Sequence, residues 1–318
     1  MKKILLATTM LAGTAGFAAA EVSISGYAEM GIWSDVDGAV QFWSDADLTF
    51  KMTGTTDGGL EFGAKVDLDE AGRLGGEGDH DFGGDVWISG AFGKLTIGDT
   101  DGALDWALAD MDGGMTSIAD DHTSQYAWFG DSSYDGEGDN QVVRYENTFG
   151  DIAFAISAEQ VNNGADAGEY SDIGNLNETI LAVGVKYTAN LGGTDVNLGL
   201  AYQDADSLGS AVGVSAAATA ANGFGGKIGY IDYSDDFANW DSHLGLEVSY
   251  KSGPIGVAVN YGKVDLVGGA DFDSWGAVAN YDLGGGAVVM FGYGSNSARA
   301  GAPVDDEDTW SLGLGLSF

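Results

Sequence analysis

The sequence is poor in several residue types that stabilise or recruit partners for soluble proteins. It has no cysteine and 2 prolines in 318 residues, which removes disulfides and disfavours thiolate metal sites. Only 12 Lys and Arg residues stand against 49 Asp and Glu residues, a formal net charge of −37. So negative a chain repels nucleic acid and anionic lipid head groups. It favours cations as counter-ions, ligands or solutes.

Long hydrophobic runs and histidines are also scarce. No run of about 18 apolar residues follows Glu21, so no membrane-spanning helix is predicted. The 44% hydrophobic content argues against disorder. His122 lies beside Asp120 and Asp121, but no glycine-flanked nucleophilic serine accompanies it. We therefore predict that the protein is not an enzyme, an outer-membrane hydrolase being the variant weighed.

The N-terminus has the three parts of a secretory signal peptide. Two lysines follow Met1, an apolar run spans residues 4–11, and three alanines occupy residues 18–20. We predict that residues 1–20 are removed on export and that the mature chain, residues 21–318, forms one domain. Loss of Lys2 and Lys3 takes the net charge from −37 to −39.

The C-terminal segment alternates strictly between two kinds of residue. Trp310, Leu312, Leu314, Leu316 and Phe318 alternate with serine and glycine. A period of two gives a β-strand one apolar face, which in a soluble protein meets a core and in an outer-membrane barrel meets lipid. The same alternation recurs through the body, for example Val22, Ile24 and Met30 against Ser23, Ser25 and Glu29. A soluble β-sandwich alternates too, with shorter strands.

The spacing of the breaks separates these two fold classes. Seven tight glycine- or asparagine-containing turns are predicted at residues 57–59, 92–94, 149–151, 190–193, 221–223, 252–254 and 283–286. Between them lie eight longer stretches, near residues 34–40, 70–85, 99–139, 162–178, 204–210, 232–242, 264–273 and 295–309. Short turns alternating with long loops indicate an outer-membrane barrel, with the long loops outside the cell. The count of connections predicts sixteen antiparallel strands, although the facing near residues 206–235 stays open.

Sixteen strands enclose an aqueous channel rather than a packed core. The strand alternation directs several charged residues inward, and they are predicted to line the pore wall. These residues are Glu29, Asp45, Asp47, Lys51, Glu61, Lys65 and Arg144. Trp33, Trp43, Trp87 and Trp275 have no clear facing and are interpreted as interfacial anchors.

The loop at about residues 99–139 is too long for an ordinary hairpin connection. It has eleven acids, no Lys or Arg, and apolar residues that include Leu104, Trp106 and Ile118. Such a loop can fold against the inner wall and narrow the pore, although a solvated external loop has the same composition. The acids predicted to form the constriction are Asp99, Asp101, Asp105, Asp110, Asp112, Asp120 and Asp121.

Three segments carry a family resemblance. Residues 52–64 (MTGTTDGGLEFGA), 90–99 (GAFGKLTIGD) and 281–286 (YDLGGG) resemble the general diffusion porins of Rhodobacter-type alphaproteobacteria. The resemblance covers the mature chain and implies a sixteen-stranded barrel whose third external loop folds inward. It also implies a homotrimer in outer-membrane lipid and lipopolysaccharide, and passive diffusion of small hydrophilic solutes. Phe318 is then the terminal signal for barrel assembly.

The chain departs from that family in its charges. The porins that it resembles carry arginines on the wall opposite the acidic loop, whereas Glu29, Asp45 and Asp47 occupy matching positions here. Rings of acids favour cations, so a cation-selective pore is expected. No cofactor is expected to be required. Calcium bound by loop carboxylates is compatible with the composition, but the sequence defines no ligand set.

Two other readings stay open from the sequence alone. The segment of residues 75–79 (GGEGD) loosely matches the Gly/Asp repeats of secreted calcium-binding β-solenoids, but it occurs once, without a period. A structural outer-membrane protein without a transport role has the same strand pattern.

Overall fold

The computed structural model describes residues 20–34, 38–68, 84–112, 114–118, 142–161, 178–205, 209–234, 240–269, 271–296 and 307–318. These residues form sixteen β-strands and one five-residue helix. The first eight strands are β1 Glu21–Ser34, β2 Val40–Thr55, β3 Glu61–Leu68, β4 Gly84–Gly90, β5 Gly93–Gly98, β6 Val142–Phe149, β7 Ile152–Val161 and β8 Glu178–Leu191. The others are β9 Thr194–Ala205, β10 Gly209–Ala220, β11 Phe224–Tyr233, β12 Trp240–Ser252, β13 Ile255–Leu266, β14 Asp271–Gly284, β15 Ala287–Asn296 and β16 Glu307–Ser317. Helix α1 is Ala103–Ala107.

The strands form one closed antiparallel barrel in which each strand pairs with its sequence neighbours. Strand β16 closes the barrel against β1, in a register that runs from Tyr27 opposite Ser317 to Ser34 opposite Trp310. The last residue takes part, since the Phe318 amide donates to the Gly26 carbonyl at 2.8 Å. Closure leaves no unpaired strand edge, which is what a β structure in lipid requires. The predicted fold class is confirmed, and the solenoid reading is wrong.

All seven predicted tight turns join consecutive strands. Gly223, between β10 and β11, shows why turn chemistry could be read from the sequence. Its φ is +91°, and a Cβ there would lie 2.0 Å from the Lys251 carbonyl oxygen. Glycine is the residue that meets both demands. The predicted long loops fall largely on residues outside the described ranges, as does the predicted signal peptide apart from Ala20.

The wall has two chemically distinct faces. Large apolar side chains are exposed on the outside, including Phe42 at 93% and Val248 at 66% of their full area. Alternation also settles the strands whose facing the sequence left open. In β10 Val212 and Val214 face outward, and in β11 Ile228 faces outward while Ile231 is buried inside. Outer-membrane barrels contact lipid through an outward-facing band of apolar residues of this kind.

No helix in the described ranges is long and apolar enough to cross a membrane. Of the four tryptophans interpreted as interfacial anchors, Trp275 is the one exposed on the outer face. Trp33 and Trp43 pack edge-to-face on the inner side, with ring centroids 5.8 Å apart, and Trp87 also faces inward over Gly63. For these three residues the anchor interpretation is wrong, because they have the strand parity of Glu29 and Asp45 rather than that of the lipid face.

Candidate functional site

The described part of the long loop, residues 99–112 and 114–118, follows the inner face of the wall. It starts at β5 and ends beside β16 and β1, with contacts to inward-facing residues on the way. The rest of the predicted constriction segment, including Asp120 and Asp121, lies outside the described residues. The site therefore consists of this loop, the wall beneath it and the wall of β1–β3.

Arg144 on β6 holds the start of the loop. Its guanidinium donates a hydrogen bond to the Asp101 carbonyl oxygen and lies 3.5 Å from the Asp101 carboxylate. The Nε atom donates to Glu146 at 3.2 Å. The Arg144 side chain is buried. Arg144 is inward-facing, as predicted, but it is engaged with the loop backbone and two acids rather than directed at the open lumen.

Helix α1 packs on the inner wall of β7, β8 and β9. The Ala103 amide, at the first turn, donates to Ser157 Oγ at 2.8 Å, and beyond the helix the Ala109 amide donates to Ser215 Oγ at 3.1 Å. Leu104 and Leu108, which lie between these two anchors, and Met111, which lies just beyond the second, are buried in an apolar cluster. The loop is thus fixed in two ways. Wall serines accept hydrogen bonds from backbone amides of the loop, and its apolar side chains are buried against the wall.

The wall side of that cluster is made of small and apolar inward residues. They are Ala155, Ile180, Ala182, Ala201, Ala205, Ala211, Ile231 and Tyr233. The inward positions identified from the sequence were small, polar or charged, as suits a water-filled lumen. The structure differs on β7–β11, because this part of the wall is covered by the loop rather than by water.

Two further bases of the wall, on β8 and β11, also meet the loop. Lys186 Nζ lies 4.2 Å from the centre of the Trp106 ring, a cation–π contact. Lys227 Nζ donates to the Asp110 carbonyl oxygen and to the Asp112 carboxylate, both at 2.6 Å, and lies 3.2 Å from Glu247. The sequence interpretation missed both lysines. The parity of β8 opposite Val183 and Val185 could have identified Lys186, whereas the ambiguous facing of β11 hid Lys227.

Beyond Lys227 the loop crosses the remaining wall. Asn260 Nδ2 on β13 donates to the Met111 carbonyl oxygen at 2.9 Å, and Thr116 Oγ1 donates to the sulfur of Met290 on β15 at 3.4 Å. Ile118 is fully buried against Gly31 of β1 and Gly313 of β16. The described loop therefore contacts inner-wall positions from β6 round to β1.

The wall of β1–β3 carries most of the other predicted pore residues. Glu29 accepts hydrogen bonds from Tyr27 at 3.0 Å and from Trp43 Nε1 at 3.1 Å, which fixes its carboxylate. Asp45 and Asp47 are half-buried on β2, while Lys51 and Glu61 are exposed. Lys65 forms an ion pair with Asp67, an acid that was not among the predicted residues.

The predicted loop acids do not act as one group. Asp101 and Asp112 pair with Arg144 and Lys227, whereas Asp110 contributes its backbone carbonyl to Lys227. Asp105 lies in the first turn of α1, and Asp99 is exposed where β5 ends. Within the described ranges no group of three or more His, Asp or Glu residues is arranged to hold a metal ion.

Comparisons with known proteins agree with this geometry. The family model described as Gram-negative porin matches residues 7–301. The chain is 31% identical to the porin of Rhodobacter capsulatus over 94% of its own length and 99% of that protein's.

Solved structures give the same result for the fold. A porin structure refined at 1.8 Å resolution matches with a TM-score of 0.68 at 26% identity, covering 94% of this chain and all of the other. A triple mutant of the Rhodopseudomonas blastica porin matches with a TM-score of 0.65 at 20% identity, over 93% of this chain and all of the other. The closed sixteen-stranded barrel and these matches show that the chain belongs to the Gram-negative porin family, whose members are channels of the outer membrane.

Proposed function

We propose that this outer-membrane porin is a water-filled channel that passes small hydrophilic solutes and ions by passive diffusion and prefers cations. In this proposal the loop predicted at about residues 99–139 acts as the constriction. The homotrimer implied by the family resemblance is part of the proposal, as is a setting in outer-membrane lipid and lipopolysaccharide. The absence of an enzymatic activity and the binding of Ca²⁺ by loop carboxylates stay predictions from the sequence.

The observation that carries cation preference is the engagement of the wall bases. The loop covers three bases of the wall, which are Arg144, Lys186 and Lys227. Their side chains point to the loop and contact carboxylates, carbonyl oxygens and an aromatic ring. The charges of Arg144 and Lys227 are therefore compensated locally by carboxylates, whereas the Trp106 ring stabilises the Lys186 ammonium group without cancelling its charge. A base that is paired with a carboxylate contributes little field to the open part of the lumen.

Among its described inward positions, the wall of β1–β3 carries more acids than bases. Its inward positions hold Glu29, Asp45, Asp47, Glu61 and Asp67 against Lys51 and Lys65. Carboxylates lining a pore favour cations. A channel whose wall carries a net negative charge also concentrates cations through its electrostatic field. The formal net charge of −37 acts in the same direction.

The reversal potential in a planar bilayer under a KCl gradient tests the proposal. We expect the sign of a cation-selective channel, and a smaller magnitude in the double variant Asp45→Asn/Asp47→Asn, because two wall charges are removed. Asp57→Asn, on the exposed β2–β3 turn of the same hairpin, is the matched control and should leave the potential unchanged. A native reversal potential near zero or of anion-selective sign would contradict the proposal.

A further inference from the structure

Three glycines on adjacent strands lie directly beneath the loop. They are Gly184 on β8, Gly199 on β9 and Gly213 on β10, and together we call them the loop seat. A Cβ at Gly184 would lie 2.2 Å from the Ala103 carbonyl oxygen, and one at Gly199 would lie 2.1 Å from the Ala107 carbonyl oxygen. At Gly213 it would lie 2.5 Å from Leu108 Cδ1. Each distance is too short for an alanine to fit without movement of the loop.

Backbone conformation does not account for these glycines. None of the three has a positive φ, so an L-residue is allowed at each position. Glycine inside a strand costs stability through backbone entropy, and it often marks a place where another segment approaches closely. Helix α1 is the segment that approaches closely here. The neighbouring inward residues Ala182, Ala201 and Ala211 are small and buried, so the whole patch allows the loop backbone to lie close to the wall.

The other end of the described loop meets glycine as well. A Cβ at Gly256 on β13 would lie 2.7 Å from the Met115 sulfur, and one at Gly313 on β16 would lie 2.7 Å from Ile118 Cγ2. The contacts at the loop seat restrict the loop more, because at Gly184 and Gly199 the obstacle is the backbone of α1. At Gly256 and Gly313 the loop atoms that a Cβ would meet belong to side chains, and the backbone atom nearest to a Cβ at Gly313, the Met30 carbonyl oxygen at 2.5 Å, belongs to β1. Ser215 adds a further constraint at the loop seat. Its Oγ accepts a hydrogen bond from the Ala109 amide, and a Cβ at Gly199 would lie 2.7 Å from that Oγ.

We infer that the loop seat sets the free cross-section of the pore. By lacking side chains, Gly184, Gly199 and Gly213 allow residues 103–108 to lie against the wall, and the space thereby left open is the passage for solutes. They are positioning residues, since they act through the loop. This inference rests on the proposed function of the loop as the constriction, and it adds the wall residues that decide how far the loop enters the lumen.

Single-channel conductance of Gly184→Ala and Gly199→Ala tests this inference. We expect each methyl group to push α1 away from the wall and to lower the conductance by roughly a third to a half, because permeation depends on the pore radius at its narrowest point. Gly226→Ala on β11 is the matched control. It adds the same methyl group on the lipid-facing side, where the nearest atom would be 3.5 Å away, and should conduct like the native protein.

A compensating pair of substitutions distinguishes a role of the loop seat in positioning the loop from a general loss of structure. In Gly213→Ala the new Cβ meets the Leu108 side chain, and the nearest atom of any other residue, Ile231 Cγ1, is 3.3 Å away. Gly213→Ala alone should lower the conductance, and Gly213→Ala/Leu108→Ala should return it towards the native value. Native conductance in correctly folded Gly184→Ala and Gly199→Ala, or no recovery in the double variant, would overturn the inference.

Amide hydrogen exchange of the intact barrel in detergent gives a readout that does not need conduction. The Ala103 and Ala109 amides, which donate to Ser157 and Ser215, should exchange faster in Gly199→Ala than in the native protein and in Gly226→Ala. Unchanged exchange would count against the loop seat. If the native protein formed no channel while exchange still rose, the proposed function would fail and the positioning role would stand.

Discussion

At the scale of single residues, the bases of the wall show what local sequence can and cannot predict. The sequence interpretation places Arg144 on the pore wall, and in the structure its side chain lies on the inner face and contacts the loop. Its partner Asp101 is 43 residues away in sequence, and Lys227 lies 115 residues from Asp112, so these pairings depend on how the closed barrel brings distant segments together. Strand alternation predicts the direction of a side chain, but not the charge that it meets.

The Lys227 contacts predict a measurable stability effect. Glu247 is buried and lies 3.2 Å from the ammonium group, so Lys227→Met removes the positive charge beside a buried carboxylate. We expect the free energy of unfolding to fall by about 2–3 kcal/mol, since Lys227 itself is only partly exposed. The midpoint of urea unfolding in detergent measures this change.

Two further variants make that measurement specific. Lys227→Met/Glu247→Gln should recover much of the loss, because the buried charge is removed together with its partner. Lys51→Met removes an exposed inward lysine and should unfold close to the native midpoint. Equal destabilisation in Lys227→Met and Lys51→Met would show that the Lys227 contacts do not stabilise the barrel.

At the scale of elements, strands and turns followed the sequence closely, whereas the loop-covered wall did not. Alternation and turn glycines are local signals, and all sixteen strands were predicted from them. In β10 the run of alanines hid the facing, because small residues occupy both sides of that strand. The structure explains Ala211, Gly213 and Ser215 on the inner side as part of the surface on which the loop packs.

The last residue gives a prediction at this scale. Phe318 forms backbone hydrogen bonds with Gly26, but the residue is otherwise exposed, at 80% of its full area. Phe318→Ala should therefore change the unfolding free energy of a refolded barrel by no more than about 0.5 kcal/mol. If the ring is an assembly signal, the amount of folded protein in the outer membrane of producing cells should fall.

Leu283→Ala, another exposed apolar residue at the short-turn rim, is the control for this experiment. It should leave the assembled amount unchanged. A Phe318→Ala protein that assembles like Leu283→Ala would rule out the assembly role of Phe318.

At the scale of the whole molecule, closure creates two environments from one alternating pattern. Outward residues are apolar and exposed, while inward residues meet either the loop or the open lumen. Val248 and Ser249 are consecutive on β12 and lie on opposite faces. They therefore allow the same substitution to be compared between lipid and lumen.

Val248→Arg places a charge on the outer face and should destabilise the barrel in lipid vesicles by about 2 kcal/mol, while Ser249→Arg should cost less because its head group can reach the lumen. Unfolding by guanidinium in vesicles measures both values. A cost at Ser249 equal to or larger than that at Val248 would contradict the assignment of the two faces.

The sequence by itself determined the number of strands, the positions of the short turns and the face that each well-alternating strand turns to lipid. These depend on a two-residue period and on turn residues, which act over a few positions in the chain. The tertiary structure decided which wall the loop covers, which acids form ion pairs with wall bases and which glycines make room for α1. Those outcomes depend on contacts between segments far apart in sequence, and only the closed barrel brings those segments together.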